Sequence, residues 1–335
     1  MEDRTFGNTD LSCSALGFGT WEMATTQYGA VDIKEAVRAV QMAVDHGITL
    51  FDTAEVYGPF TSEELLARGL GRRRKEVVLV TKVGFTFHDD PDLSGNAAIS
   101  GRNASAAYIS GRTERCLQRL NTDYIDLMLI HWPDHTTPHA ETIGALEALK
   151  KAGKIRHYGV SNYTVPMMAG CEEHGHLSAN QVGYNLFDRR MEAEVLPYCL
   201  ERGIGYMAYG SLGFGLLTGA FTPETTFVDW DWRSSGNAFG LPLFEREDFL
   251  RELRVVERLK DLAAAYGKSV AQLAIAWVLG NPAVTVGLVG MRNERELQEN
   301  VAAADWRLTL SDRALIDRIF VEEGVSTYVD GTQAT

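Results

Sequence analysis

From residue 15 onward the chain alternates short apolar runs with longer amphipathic stretches, and that alternation constrains its fold more than any other feature. The apolar runs are Ala15–Thr20, Thr49–Asp52, Val77–Lys82, Ile125–His131, Tyr158–Ser161, Asn180–Tyr184, Gly205–Tyr209 and Val284–Val289. None keeps a polar residue at every second position, so each reads as a strand buried on both faces, as in a parallel sheet. Between them, Ile33, Ala36, Val37, Val40, Ala43 and Val44 recur at helical spacing and stop at Gly47. Ile143, Leu146 and Leu149 repeat the pattern up to Gly153, and Leu259, Leu262, Ala263 and Tyr266 up to Gly267. Eight strand–helix units in 335 residues predict an α/β chain folded as a closed (β/α)8 barrel, one domain over residues 1–335.

The competing architecture is an open, doubly wound sheet binding a dinucleotide. Such sheets carry G-x-G-x-x-G in the first strand–helix turn. Here that turn reads Gly17-Phe18-Gly19-Thr20-Trp21-Glu22, without the third glycine, and Gly213-Phe214-Gly215-Leu216-Leu217-Thr218 fails in the same way. Two segments interrupt the alternation. Arg4 to Ser14, with a turn signal at Gly7-Asn8, predicts a β-hairpin that plugs the lower end of the barrel. Residues 211–250 form a long connection after the seventh strand. Its seven aromatics (Phe214, Phe221, Phe227, Trp230, Trp232, Phe239 and Phe244) argue against disorder, and they suit either packing on the rim or lining a site.

Charge narrows the function classes. A net charge of −13 disfavours attraction to nucleic acid or an anionic membrane. The one basic run, Gly71-Arg72-Arg73-Arg74-Lys75, reads as a solvated loop. No apolar run reaches membrane-spanning length. Cys13, Cys116, Cys171 and Cys199 form no C-x-x-C pair, and no leader is visible, so free thiols and a cytoplasmic location are expected. His131 with His135, and His174 with His176, lack the Cys or carboxylate partners of a metal site, so no metal is expected.

Barrel enzymes place their reacting groups at the carboxyl ends of strands. Asp52, Lys82 and His131 end the second, third and fourth runs, and Tyr57 follows Asp52 by one short loop. A tyrosine ordinarily titrates near ~10, and an adjacent ammonium lowers that value. Lys82 is the ammonium, Asp52 holds it charged, and His131 orients a carbonyl oxygen. Any one of these residues alone reads as a rim ion pair or as packing. Together, at three neighbouring strand ends, they form a proton-transfer site suited to reducing a carbonyl.

These residues and their surroundings resemble the aldo-keto reductase superfamily. The matching stretches are L-G-F-G-T-W (16–21), F-D-T-A-E-V-Y-G (51–58), V-T-K (80–82), D-Y-I-D-L-M-L-I-H-W-P (123–133), G-K-I-R-H-Y-G-V-S-N-Y (153–163), N-Q-V-G-Y-N (180–185), L-L-T-G (216–219) and G-M-R-N-E-R-E-L-Q-E-N (290–300). The resemblance implies a barrel that binds NADP(H) across its carboxyl face, NAD(H) being the second possibility. It implies Tyr57 as proton donor, tuned by Lys82 and Asp52, with His131 on the carbonyl. Ser161, Asn162 and Gln181 then hold the nicotinamide carboxamide, and Tyr209 stacks on its ring. By the same resemblance Gly19, Thr20, Trp21, Asp52, Gly210, Ser211 and Leu212 border the cofactor. Gly290, Arg292, Glu299 and Asn300 match the adenosine end, where Arg292 suits a 2′-phosphate. The chain departs from many relatives at Gly210-Ser211 and at Glu296, a carboxylate that disfavours a 2′-phosphate. Trp21, Tyr57, His131, Trp132 and the aromatic loop are expected to line a pocket for a carbonyl or sugar substrate. The functional alternative is a nicotinamide-binding regulatory subunit similar to potassium-channel β subunits. The absence of a long segment before the hairpin favours the enzyme.

Overall fold

Eight parallel strands close on themselves in the computed structural model, which describes residues 1–23, 31–88 and 99–328. In chain order the strands are β1 (Asp3–Thr5), β2 (Ser12–Ser14), β3 (Leu16–Gly19), β4 (Leu50–Asp52), β5 (Val78–Val83), β6 (Phe85–Phe87), β7 (Ile99–Arg102), β8 (Ile125–Ile130), β9 (Ile155–Ser161), β10 (Ala179–Gly183), β11 (Gly205–Tyr209) and β12 (Val284–Gly290). The barrel runs β3-β4-β5-β8-β9-β10-β11-β12, and β12 pairs back onto β3 with Gly290 beside Gly19. This is the (β/α)8 barrel expected from the alternation, and the eight runs correspond to its eight staves.

Because side chains alternate along a strand, every second residue of each stave points inward. Leu50, Val78, Val80, Leu127, Leu129, Met207, Val286 and Leu288 fill the interior. One step further along the same parity come Asp52, Lys82, His131 and Tyr209. The inner row therefore changes from apolar to polar at the carboxyl end of the barrel, while the outward residues Phe51, Leu79, Val83, Met128 and Ile130 pack under the helices.

The opposite end is closed by the β1–β2 hairpin, which inserts Phe6, Leu11 and Cys13 into the same interior cluster. Phe6 and Leu11 are 0% and 2% exposed. Gly7 is required at its tip: its φ is +45°, and an added Cβ would lie 1.9 Å from the Gly203 carbonyl oxygen.

The helices follow their apolar stripes. Ile33–Asp45 buries Ala36, Ala39, Val40, Ala43 and Val44, is capped by the Asp32 carboxylate, and stops before Gly47 at φ +82°. His139–Lys151 buries Ile143, Leu146 and Leu149. All four cysteines are free and buried. No helix among the described residues is long and apolar enough to cross a membrane.

Three details differ from the sequence reading. The helix Arg246–Ala264 begins inside the segment expected to be loop, so the long connection ends at Glu245. An antiparallel pair, β6–β7, lies between the third and fourth staves. Its few residues carry no sustained alternation, so the sequence gives no strand signal there. The basic run is not simply solvated: Arg74 is buried against Asp126 at 2.9 Å with its guanidinium over the Tyr124 ring, and Arg73 pairs with Asp45 and Glu76.

Candidate active site

At the carboxyl mouth, Lys82 occupies the centre of a hydrogen-bonded group. Its Nζ donates to Asp52 Oδ1 at 2.6 Å, to the Thr53 carbonyl at 2.9 Å and to the Tyr57 hydroxyl at 3.1 Å. Three N–H bonds thus have three acceptors. Lys82 is 0% and Asp52 3% exposed. Burial lowers the Lys82 ammonium and raises the Asp52 carboxyl from their usual values, and each opposes that drift by holding its partner charged. The other Asp52 oxygen accepts from Gln181 Nε2 at 2.7 Å, so the carboxylate is fixed from two sides.

His131 completes the group. Its ring meets Tyr57 edge-on with centroids 5.7 Å apart and Phe85 at 5.0 Å. Burial pushes the imidazole well below its ordinary value, and the charges of Lys82 and Arg102 push it further, so the ring is neutral at physiological pH. Its Nδ1 is buried and has no hydrogen-bond partner among the described residues. The four residues chosen from strand-end position therefore converge on one place.

The expected nicotinamide contacts form a second group beside them. Ser161 Oγ donates to the Gln181 carbonyl at 2.8 Å, and Asn162 Nδ2 donates to the His131 carbonyl at 3.2 Å and to Ser161 Oγ at 3.1 Å. Asn162 sits at φ 63°, the left-handed region in which asparagine is among the more tolerated residues. Its Oδ1 accepts from the Tyr209 hydroxyl at 2.9 Å. These side chains come from the end of β9 and the residue after it, the middle of β10 and the end of β11. An aromatic ring flanked by amides and a hydroxyl matches a planar, amide-bearing ligand in donor and acceptor chemistry.

Other predicted residues are placed less directly. Thr20 and Ser211 turn their hydroxyls onto the backbone, to the Asp52 carbonyl at 2.9 Å and the Ala208 carbonyl at 3.2 Å. Gly19 pairs with Asp52 in the ladder. Gly210 at φ +66° passes close under the Phe214 ring, 2.8 Å from where its Cβ would be, and Leu212 follows it into a tight turn that its carbonyl closes. Gly290 ends β12, and an added Cβ there would lie 2.2 Å from a Glu22 carboxylate oxygen.

Where the adenosine end of the cofactor was expected, Glu296 binds Arg292 twice. It accepts from the Arg292 backbone N–H at 2.8 Å and from its guanidinium at 3.0 Å. Asn300 is buried with its amide 3.5 Å from the Gly290 carbonyl, and the Glu299 carbonyl accepts from Gln272.

The long connection reaches the mouth. Trp21 faces Tyr57 at 6.4 Å and Trp232 at 5.7 Å, while Phe239 lies 5.6 Å from Tyr209 and 6.1 Å from Trp21. Its other rings pack on one another, as Phe221–Phe227 and Phe227–Phe244 do, whereas Trp230 is 59% exposed. The rings of this connection thus pack on one another and also reach Trp21 and Tyr209 at the mouth. Trp132 is half-buried under the Arg102 guanidinium at 5.0 Å. Sequence reasoning did not find Phe85, Arg102 or the Thr53 carbonyl: Phe85 and Arg102 reach the site through the β6–β7 pair, and a backbone carbonyl such as that of Thr53, next to Asp52, leaves no mark in residue type. Among the described residues no three His, Cys, Asp or Glu side chains gather as metal ligands.

Comparison with known proteins agrees with the barrel fold. A model of the Aldo/keto reductase family matches residues 15–320. Over 322 residues the chain is 38% identical to aldo-keto reductase YhdN of Bacillus subtilis (strain 168), covering 95% of this chain and 93% of that one. It is 32% identical to the NADH-specific methylglyoxal reductase of Escherichia coli (strain K12), covering 94% and 97%. Among solved structures, the glycerol dehydrogenase AKR11B4 from Gluconobacter oxydans superposes with a TM-score of 0.88 at 33% identity, covering 97% and 96%. An aldo/keto reductase from Klebsiella pneumoniae in complex with NADP and acetate superposes with a TM-score of 0.73 at 29% identity, covering 96% of each chain. Fold, strand-end quartet and similarity over nearly the full length lead to one conclusion: the chain belongs to the aldo/keto reductase family of oxidoreductases.

Proposed function

We propose that the protein reduces an aldehyde or ketone to an alcohol with NADP(H), or runs the reverse reaction on a sugar or polyol, with Tyr57 as the proton donor. The observation that carries this reading is the Tyr57 hydroxyl 3.1 Å from a Lys82 ammonium that is itself 2.6 Å from Asp52. Tyr57 accepts a hydrogen bond from Lys82, and in the reaction the phenol gives its own proton to a carbonyl oxygen. The ammonium stabilises the phenolate left behind, and Asp52 holds the ammonium in place. Neutral His131, beside the Tyr57 ring, offers an N–H to the same oxygen and orients the carbonyl. The aromatic wall of Trp21, Trp132, Trp232 and Phe239 excludes water and takes the apolar part of the substrate.

NADP(H), when bound, supplies the hydride. The residues fit it: Ser161, Asn162 and Gln181 offer carboxamide partners, Tyr209 a stacking face, and Arg292 a cation for a 2′-phosphate. The NADP-bound Klebsiella relative supports this choice. Glu296 already holds Arg292, and one relative is named NADH-specific, so NAD(H) is the second cofactor of this reading. Four free, buried thiols suit the reducing cytoplasm.

The test is NADPH consumption with a panel of aldehydes, ketones and sugars, comparing wild type with Tyr57→Phe. Loss of turnover with retained NADPH binding is expected in the variant. Full activity in Tyr57→Phe rejects the proton-donor role. A wild type that binds NADPH yet turns over nothing supports the regulatory-subunit reading instead.

A further inference from the structure

The loop that carries Tyr57, between β4 and the helix Thr61–Leu70, is gripped from behind by charges that the proposed chemistry does not use. Glu55, two residues before Tyr57, is 0% exposed and accepts from Arg112 Nε at 2.7 Å. Arg112 lies on the helix Ala106–Arg119 and is itself buried. At the other end of the loop, Phe60 takes a left-handed φ of 66° and is 5% exposed. Its ring has the Arg112 guanidinium at 5.1 Å, the Arg119 guanidinium at 4.4 Å and the Phe87 ring at 5.4 Å. Arg119 Nε in turn donates to Glu63 at 2.6 Å, and the other Glu63 oxygen accepts from Thr81, the residue before Lys82, at 2.7 Å.

Stability alone is a poor reason for such an arrangement. A buried ion pair costs desolvation that apolar residues of similar volume would avoid. Here Glu55 Oε1 and Arg112 Nη2 are buried with no hydrogen-bond partner among the described residues, which adds to that cost. What the pair does provide is a fixed point at each end of a short loop. The Glu55 N–H also donates to the Lys82 carbonyl at 3.4 Å, and the Phe60 N–H to the Glu55 carbonyl at 2.8 Å. Between these fixed points Tyr57 has little freedom to leave Lys82.

We infer that Arg112, through Glu55 and Phe60, is a positioning residue that holds the Tyr57 hydroxyl on the Lys82 ammonium. The inference rests on the proton-donor reading above. It assigns Arg112 no contact with substrate or cofactor. Its effect belongs on kcat, because a reacting group misplaced by about 1 Å costs on the order of 10²-fold in rate.

The experiment compares Arg112→Met and Arg112→Lys by steady-state kinetics, with active sites counted by NADPH binding. Arg112→Met is expected to lower kcat per NADPH-binding site by about 10- to 100-fold while KM and NADPH affinity hold. Arg112→Lys, which keeps a cation against Glu55 and Phe60, is expected to recover much of the loss. An Arg112→Met protein that binds NADPH stoichiometrically and keeps wild-type kcat overturns the inference. If Arg112→Met does not fold, Glu55→Gln and Phe60→Leu are read by the same criterion, and wild-type kcat in both overturns it equally. Normal kcat in Arg112→Met beside an inactive Tyr57→Phe rejects the positioning alone. A fully active Tyr57→Phe rejects the proton-donor reading, and the positioning with it.

Discussion

Replacing Glu296 by glutamine tests whether Arg292 and Glu296 choose between NADP(H) and NAD(H), as the proposed adenosine site requires. Glu296 accepts from both the backbone N–H and the guanidinium of Arg292, at 2.8 and 3.0 Å, so the cation that suits a 2′-phosphate is already engaged. NADPH must compete with that carboxylate, and the two like charges then sit near one another. Glutamine keeps an acceptor for the Arg292 N–H but removes the charge. A hydrogen bond to a charged group contributes about 1.5–3 kcal/mol. The Arg292 and Glu296 side chains are 44% and 31% exposed, so solvent and salt screen the interaction, and about 1–2 kcal/mol is the better figure. That corresponds to about a 5- to 30-fold gain in NADPH affinity relative to NADH. Cofactor titrations followed by fluorescence measure both constants. The gain should shrink as salt is raised, since the pair is exposed. Equal changes for NADPH and NADH would refute the reasoning, because the 2′-phosphate is the only group that distinguishes the two cofactors.

The remaining predictions concern the same frame. Arg292→Ala should weaken NADPH binding more than NADH binding, and equal losses in titration would remove the case for a phosphate contact. Lys82→Met removes the cation from the buried Asp52 carboxylate and leaves Gln181 as its remaining side-chain donor among the described residues, so denaturant melts should show a loss of about 3–5 kcal/mol together with lost turnover. Phe6→Ala should cost about 3–5 kcal/mol in the same melts and spare kcat, because the plug lies at the opposite end of the barrel from Tyr57. Burial pushes the Glu55 carboxyl up to about 7 from the usual 4.5. Its folded pKa is the higher one, so this contribution to stability is full below about 4.5 and lost as pH rises to about 7. Stability measured across that window should fall less steeply in Glu55→Gln than in wild type, by up to about 1 kcal/mol per pH unit, and an unchanged slope would count against the shift.

Much of the fold was legible because a parallel barrel leaves a simple mark: each stave is buried on both faces and each helix carries one apolar stripe. The quartet was legible for a related reason. Asp52, Lys82 and His131 are the first inward-facing polar residues after inward-facing apolar ones such as Leu50, Val80 and Leu129, so strand ends and inner parity together locate them. What stayed hidden depends on contacts that sequence spacing does not encode. Arg112 is 57 positions from Glu55, and it sits on a helix whose other buried residues are Ile109, Thr113, Cys116 and Leu117. By composition alone it reads as one more charge on an exposed face. The β6–β7 pair was missed because its strands are short and carry little apolar alternation. The Arg292–Glu296 pair was foreseeable as an i,i+4 contact. That Glu296 also takes the Arg292 backbone N–H depends on how the chain turns into the helix at Asn293.

The buried charges behind the mouth follow one pattern. Asp52, Glu55 and Glu63 are each matched at close range by Lys82, Arg112 and Arg119, and all six are at most 9% exposed as residues or side chains. The pairs offset one another's charge behind the mouth, while the Lys82 ammonium lies nearest the Tyr57 hydroxyl and the Arg102 charge acts on His131. The neutral His131 adds no charge of its own. The Lys82 ammonium is thus enclosed with Asp52 in low-dielectric surroundings, where its charge acts most strongly. Removing any one member of the three pairs would put an uncompensated charge within reach of Tyr57. Substitutions at Glu63 or Arg119, which lie behind the Tyr57 loop, are therefore expected to alter turnover as well as stability. A variant such as Arg119→Met with a lowered melting temperature but wild-type kcat per NADPH-binding site would show that charge balance at that distance does not reach the reaction.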